Sequence, residues 1–201
     1  MYNFVNLIFV IYIIFMKVLS LQIPEVKIIE PEVYTDSRGW FFESFNQKKI
    51  NEVLGANVTF VQDNHSESTK GVLRGLHYQS FPGAQDKLVR VIQGEVFDVA
   101  VDIRENSSTF GQYVGHVLSA QNKKQMWIPK GFAHGFLTLS NSAQFLYKVT
   151  DYYNADLEQC ILWDDCSLAI SWPRNLPISL SKKDLQGKSF LDAETFKPNH
   201  T

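Results

Sequence analysis

Between residues 58 and 153 the chain runs as eight short stretches: VTFVQDN, GVLRGLHYQ, KLVRVIQ, EVFDVAVDI, QYVGHVLSA, KQMWIP, AHGFLTLS and AQFLYKVTDYY. Each is rich in Val, Ile, Phe or Tyr, and FPGAQD, QG, NSSTFG and SNS punctuate them. Such runs with turn residues between them predict strands. Strands this closely spaced leave no room for the crossover helices of a βαβ sheet, so the pattern predicts an all-β sandwich, jelly roll or closed barrel. In EVFDVAVDI, Phe97, Val99, Val101 and Ile103 alternate with Val96, Asp98, Ala100 and Asp102, which places the two sets on opposite faces. Only NQKKINEVL (46–54) and a short turn over Lys182 to Gln186 read as helical. No repeat or low-complexity linker divides the chain, and 201 residues suit one β domain with few short helices, taken as residues 16–201.

Residues 1–15 are set apart as an N-terminal extension. MYNFVNLIFVIYIIFMKVLSLQ is apolar through Phe15, and its first charge is Lys17. The run is shorter than the ~20 residues of a membrane-spanning helix. It also lacks a basic region before it and a small-x-small cleavage site after it. A signal anchor, a cleaved signal and sequence upstream of a true start at Met16 stay open, the last being preferred. Net charge is −2 and no basic run occurs, so neither a nucleic-acid nor a membrane partner is expected. The absence of Cys-x-x-Cys and Gly-x-Gly-x-x-Gly leaves no local cofactor signal. Cys160 and Cys166 are expected to be buried free thiols of a reducing compartment, the cytoplasm.

A small barrel holds a ligand inside through a few polar side chains on inward faces. The polar residues interrupting the apolar runs are therefore the candidates: Gln62, Asp63, Asn64, Arg74, His77, Lys87, Asp98, His134, Tyr147, Tyr153 and Glu158. Asn64-His65-Ser66 is a glycosylation sequon inside this set, which argues against secretion. Arg74 and His77 are an odd number apart, so a regular strand would point them to opposite faces. Gly75 between them predicts a bulge that lets both enter one pocket.

PKGFAHGF (129–136) holds Pro-x-Gly-x-x-His, which resembles the second signature of cupins, small jelly-roll barrels. Where metal-binding cupins carry His-x-His, this chain reads His77-Tyr78-Gln79, so a metal-free cupin is the reading and no metal or cofactor is expected. DSRGWFFESF, FVQDNHSES, KGVLRGLHYQ, QDKLVRVIQGEVFDVAVDIR, STFGQYVGHVLSAQNKKQMWIPKGFAHGFLTLS and YKVTDYYNADLEQCILWDD follow in order. Together they resemble the dTDP-4-dehydrorhamnose 3,5-epimerase family from about Met16 to about Leu191.

The resemblance implies conversion of dTDP-4-dehydro-6-deoxy-D-glucose to dTDP-4-dehydro-L-rhamnose. It matches His77 to the base, Asp184 to the carboxylate orienting it, Tyr147 to the acid, and Lys87 to the cation at the enolate oxygen. Substrate contacts match Arg38, Glu43, Gln62, Asp63, Asn64, Arg74, His134, Glu158 and Lys183, and Tyr153 joins them from the residue reading. It further implies a homodimer with exchanged N-terminal strands, in which Arg38 and Glu43 reach the partner's site. An epimerase inverting one carbon, a non-catalytic sugar-nucleotide-binding cupin and a metal-dependent cupin oxygenase are the alternatives.

The chemistry asks for these residue types. Inverting a carbon beside a ketone needs a base, a donor for the enolate charge and an acid on the other face. Histidine, with an ordinary pKa of ~6.5, accepts a proton near neutrality, and a carboxylate partner fixes its tautomer. An ammonium group stabilises the developing oxyanion, tyrosine keeps its proton until the carbanion draws it, and arginine forks onto diphosphate oxygens.

Overall fold

In this computed structural model, residues 10–13, 16–173 and 176–197 are described. Five short strands come first: β1 (Val10–Ile13), β2 (Met16–Ser20), β3 (Lys27–Pro31), β4 (Tyr34–Asp36) and β5 (Gly39–Phe41). Helix α1 (Gln47–Leu54) follows, then β6 (Gln62–Thr69), β7 (Leu73–Gln79), β8 (Lys87–Gln93), β9 (Glu95–Asp102) and β10 (Tyr113–Ser119). The last are β11 (Gln125–Ile128), β12 (Phe132–Thr138), β13 (Ser142–Val149) and β14 (Glu158–Cys160). They form a seven-stranded sheet in the order β1-β2-β3-β11-β8-β13-β6, a five-stranded sheet in the order β10-β9-β12-β7-β14, and a separate β4-β5 hairpin. All pairings between these strands are antiparallel.

The large sheets pack face to face. Val89, Val91, Met126, Ile128 and Phe145 from one meet Val96, Ala100, Leu118, Phe132 and Phe136 from the other in a common core. Phe136 and Phe145 stack across the gap, with ring centroids 4.3 Å apart. Each sheet is also covered outside. Leu73, Leu76, Val99, Val101, Ala133 and Leu137 lie under Leu168, Ile170, Trp172, Phe190 and Phe196 of the C-terminal segment. Met16, Val18, Ile29, Leu88 and Trp127 lie under Ile50 and Val53 of α1. Two-sided burial explains why β9 is apolar on both faces, in the alternation its sequence predicts. This is the double-sheet jelly roll with few helices that the spacing of the runs implied.

Helix α1 starts where Asn46 accepts a hydrogen bond from the Lys49 amide at 3.2 Å, and it ends at Gly55 in the left-handed region. The stretch predicted as a strand from Val58 pairs only from Gln62, because Val58 and Phe60 pack on α1 and Trp127 instead. The stretch read through Tyr153 leaves its sheet after Val149. Both cysteines are free, but neither is buried: Cys160 is half-buried at the end of edge strand β14, and Cys166 is exposed in the following turn. That corrects the expectation of buried thiols, since an edge and a turn leave side chains open to solvent.

Of the N-terminal extension, residues 10–13 pair with β2, while residues 1–9 and 14–15 lie outside the described residues. Among the described residues no helix is long and apolar enough to cross a membrane.

Candidate active site

The inner face of β7 carries an irregularity that decides the site. Arg74 pairs with Phe136 and His77 with His134, so three steps on β7 oppose two on β12. The extra residue lies at Gly75-Leu76 and turns Leu76 outward into the same cluster as Leu73. Arg74 and His77 consequently line one cavity, as the odd spacing around Gly75 required. Gly75 has φ +127°, and a Cβ there would lie 2.5 Å from the Gly135 Cα, so only glycine fits the close approach of β7 to β12.

The cavity, about 360 Å³, opens between the sheets. His77 and His134 enter from the five-stranded sheet, and Lys87 and Tyr147 from the seven-stranded sheet. Asn64, Arg74, Tyr153 and Glu158 also line it, over an apolar floor of Phe136 and Phe145.

Asp184, 3% exposed, stands behind His77, with its Oδ1 2.6 Å from Nε2. Its other oxygen accepts the Ser181 hydroxyl at 2.6 Å, and Ser181 Oγ in turn accepts the Asp184 amide at 3.1 Å. Burial alone would raise the carboxyl, but hydrogen bonds from His77 and Ser181 outweigh it and hold Asp184 down at about 2. An ionised carboxylate only accepts, so the network assigns the His77 hydrogen to Nε2 and leaves a lone pair on Nδ1.

Lys87 is nearly buried and donates to the His77 carbonyl at 3.1 Å. Burial lowers its pKa to about 8, against the opposing pull of Asp98 and Glu158. Asp98 is fully buried and lies 3.0 Å from His134 Nε2. Burial drives Asp98 up and His134 down, with their contact working against both shifts. Burial first, then the Glu158 charge, raises Tyr147, which keeps it a protonated phenol at neutral pH.

The remaining sequence candidates spread outward. Glu158 accepts from Tyr153 at 2.5 Å and pairs with Lys183, which binds these rim residues together. Burial alone would raise Glu158, but the bonds from Lys183 and Tyr153 bring it below the usual carboxylate range. Gln62 bridges Asn64, at 2.8 Å, and the Tyr153 amide, at 3.0 Å. Asp63 points to the opposite face of β6 and pairs with Lys148 at 2.8 Å. Arg38 and Glu43 are brought to other places: Arg38 bonds Asp36 on the exposed hairpin, and Glu43 bonds Lys49 at 2.8 Å. Sequence reasoning missed Ser181 and Ser68, the latter accepting from Arg74 Nε at 2.9 Å. Ser181-x-x-Asp184 was findable, since that spacing marks a reciprocal capping bond. For metals, the one group of three donors among the described residues is His77, Cys160 and Asp184.

A jelly roll of the cupin kind, with a histidine and a tyrosine from facing sheets lining one cavity, is the class of protein these features define. The family model described as dTDP-4-dehydrorhamnose 3,5-epimerase matches residues 20–192. The dTDP-4-dehydrorhamnose 3,5-epimerase of Shigella flexneri is 59% identical over 181 residues, covering 90% of this chain and 99% of its own. That of Pseudomonas aeruginosa is also 59% identical, with the same coverage. A Legionella pneumophila 3,5-epimerase solved with dTDP-4-keto-L-rhamnose has TM-score 0.87 and 56% identity, covering 89% of this chain and 95% of that one. The chain belongs to the dTDP-4-dehydrorhamnose 3,5-epimerase family.

Proposed function

We propose that the protein is an isomerase that converts dTDP-4-dehydro-6-deoxy-D-glucose to dTDP-4-dehydro-L-rhamnose by proton exchange at C3 and C5. The observation that carries this reading is the placement of His77 and Tyr147 on opposite walls of one cavity, with Lys87 between the sheets beside them. His77 Nδ1 takes the proton from the carbon next to the ketone, and Asp184 stabilises the imidazolium. The Lys87 ammonium holds the enolate oxygen. Tyr147 returns a proton from the other face, and its hydroxyl has no hydrogen-bond partner among the described residues to hold it back. The base and acid then reset through solvent, and the cycle repeats at the second carbon.

Arg74 serves the diphosphate. Its Nε is fixed by Ser68 and one Nη2 hydrogen by the Glu67 carbonyl, so Nη1 keeps its hydrogens for phosphate oxygens. His134, Asn64, Gln62, Tyr153, Glu158 and Lys183 frame the sugar and nucleotide, whereas Asp63, held by Lys148 on the other face of β6, does not reach this cavity. Arg38 and Glu43 complete the site of a second copy in a homodimer with exchanged N-terminal strands. The exposure of Trp40 and Phe41 beside Arg38, at 61% and 68%, supports that exchange. Free thiols fit a cytoplasmic enzyme. NMR of the protein with the dTDP-4-keto-6-deoxyglucose nucleotide in deuterated water tests the reaction. Deuterium is expected at both carbons flanking the ketone. Label at one carbon would make it a single-site epimerase, and no label a silent binder.

A further inference from the structure

Cys160 takes no part in the epimerisation, yet it lies against the residues that do. Strand β14 pairs with β7 so that Cys160 is directly opposite His77, and directly opposed residues share a face of the ladder. The thiol, the imidazole and the Asp184 carboxylate each offer one donor atom, and these atoms all lie within 4.8 Å of one another. Ligands around a zinc ion at bond lengths of ~2.0–2.3 Å are separated by about 3.3–3.8 Å, so the widest separation closes by up to about 1.5 Å, shared between side chains, while the 2.6 Å contact of His77 with Asp184 opens.

The donors are also held as ligands are held. His77 and Cys160 sit on paired strands, and the outer oxygen of Asp184 is fixed by Ser181 at 2.6 Å. Hydrogen bonds of this kind behind a carboxylate orient it toward a metal. A nitrogen, a sulfur and an oxygen donor suit zinc, and the thiolate selects against magnesium and calcium.

We propose that His77, Cys160 and Asp184 form an inhibitory site for a thiophilic divalent cation of the zinc class, with the fourth position open to water. One Zn²⁺ balances one thiolate and one carboxylate, which leaves the half-buried cluster neutral. Coordination requires the Cys160 S–H proton to leave to solvent. It also requires His77 Nε2 to give up its hydrogen, which moves to Nδ1. The nitrogen assigned as the base then becomes a donor, and the bond between His77 and Asp184 is replaced by two bonds to metal. Binding at this site is independent of the proposed reaction, and only the inhibition rests on it.

The test uses the full chain, with Cys160→Ser and Cys166→Ser as variants. Titration with Co²⁺ is expected to give a thiolate-to-cobalt charge-transfer band that saturates at one equivalent. The band should persist in Cys166→Ser and vanish in Cys160→Ser. Zn²⁺ is expected to stop turnover reversibly by EDTA, and Cys160→Ser should need about tenfold more zinc while keeping its metal-free turnover. Absence of the band in the unaltered protein, its loss with Cys166, or zinc inhibition of the unaltered protein that is equally strong in Cys160→Ser would overturn the site. A Cys160-dependent band together with undiminished turnover in zinc would keep the site and remove His77 as the base.

Discussion

Two contacts of the same length sit at opposite extremes of this molecule. The Asp184–His77 and Asp36–Arg38 pairs are both 2.6 Å, but the Asp184 side chain is 3% exposed and that of Arg38 is 88% exposed. Distance therefore says little about what either does. In the interior the carboxylate is hydrogen-bonded on both oxygens and cannot rearrange without leaving an uncompensated charge. On the hairpin, water and salt screen the pair, and the guanidinium exchanges partners at almost no cost. A fixed pair suits the proposed orientation of His77 as a base, whereas a loose one suits the proposed reach of Arg38 into the site of a second copy.

Substitution in the interior tests the first half of that contrast. His77→Ala is expected to lower turnover by ~10²–10⁴ while thermal unfolding stays cooperative, and unchanged turnover would dissolve the proposed mechanism. Asp184→Asn keeps the shape but accepts poorly and frees the tautomer, so a loss of at least ~10² in kcat is expected with little change in KM. The same carboxylate has a pH signature. Its pKa is depressed below the ordinary carboxylate value, so its contribution to stability is complete above pH ~4 and is lost as pH falls through about 2. Acid titrations followed by circular dichroism should show this window in the native protein and not in Asp184→Asn.

Lys87 gives the next largest effect. Lys87→Met is expected to cost ~10²–10³ in turnover. In the native enzyme turnover should fall as pH rises through about 8, because the ammonium proposed to hold the enolate is lost there. A rate profile flat to pH 10 would remove Lys87 from that role.

On the hairpin, Arg38→Ala is expected to leave the melting temperature essentially unchanged, as an exposed pair should. It should raise KM, and the rise should shrink in high salt. An Arg38→Ala protein with unaltered KM, or one that melts well below the native protein, would reverse the assignment of the two regions.

Legibility in the sequence followed the same division. β8, β9 and β10 were read to within a residue because two-sided burial writes a clear alternation into KLVRVIQ and EVFDVAVDI. The polar residues breaking that alternation led to His77, Lys87, His134 and Tyr147, and Gly75 told of the bulge. The first five strands were invisible to period counting: β4 and β5 are three exposed residues each, and the apolar run before Lys17 hid the pairing of β1 with β2. Val58 and Phe60 imitated a strand while serving the helix. Asp184 lies 107 residues from His77, so no local pattern could join them, and only resemblance supplied the pair.

The one extra residue in β7 ties chemistry to architecture more tightly than any of these side chains. Were β7 to pair evenly with β12 while keeping every residue, each residue on one side of Gly75 would change faces. His77 would then trade places with a leucine of the outer apolar layer. A histidine would be sealed beneath Phe190 and Trp172, and a hydrocarbon would confront the sugar. Smoothing this ladder at constant length and emptying the cavity of its histidine are thus a single event.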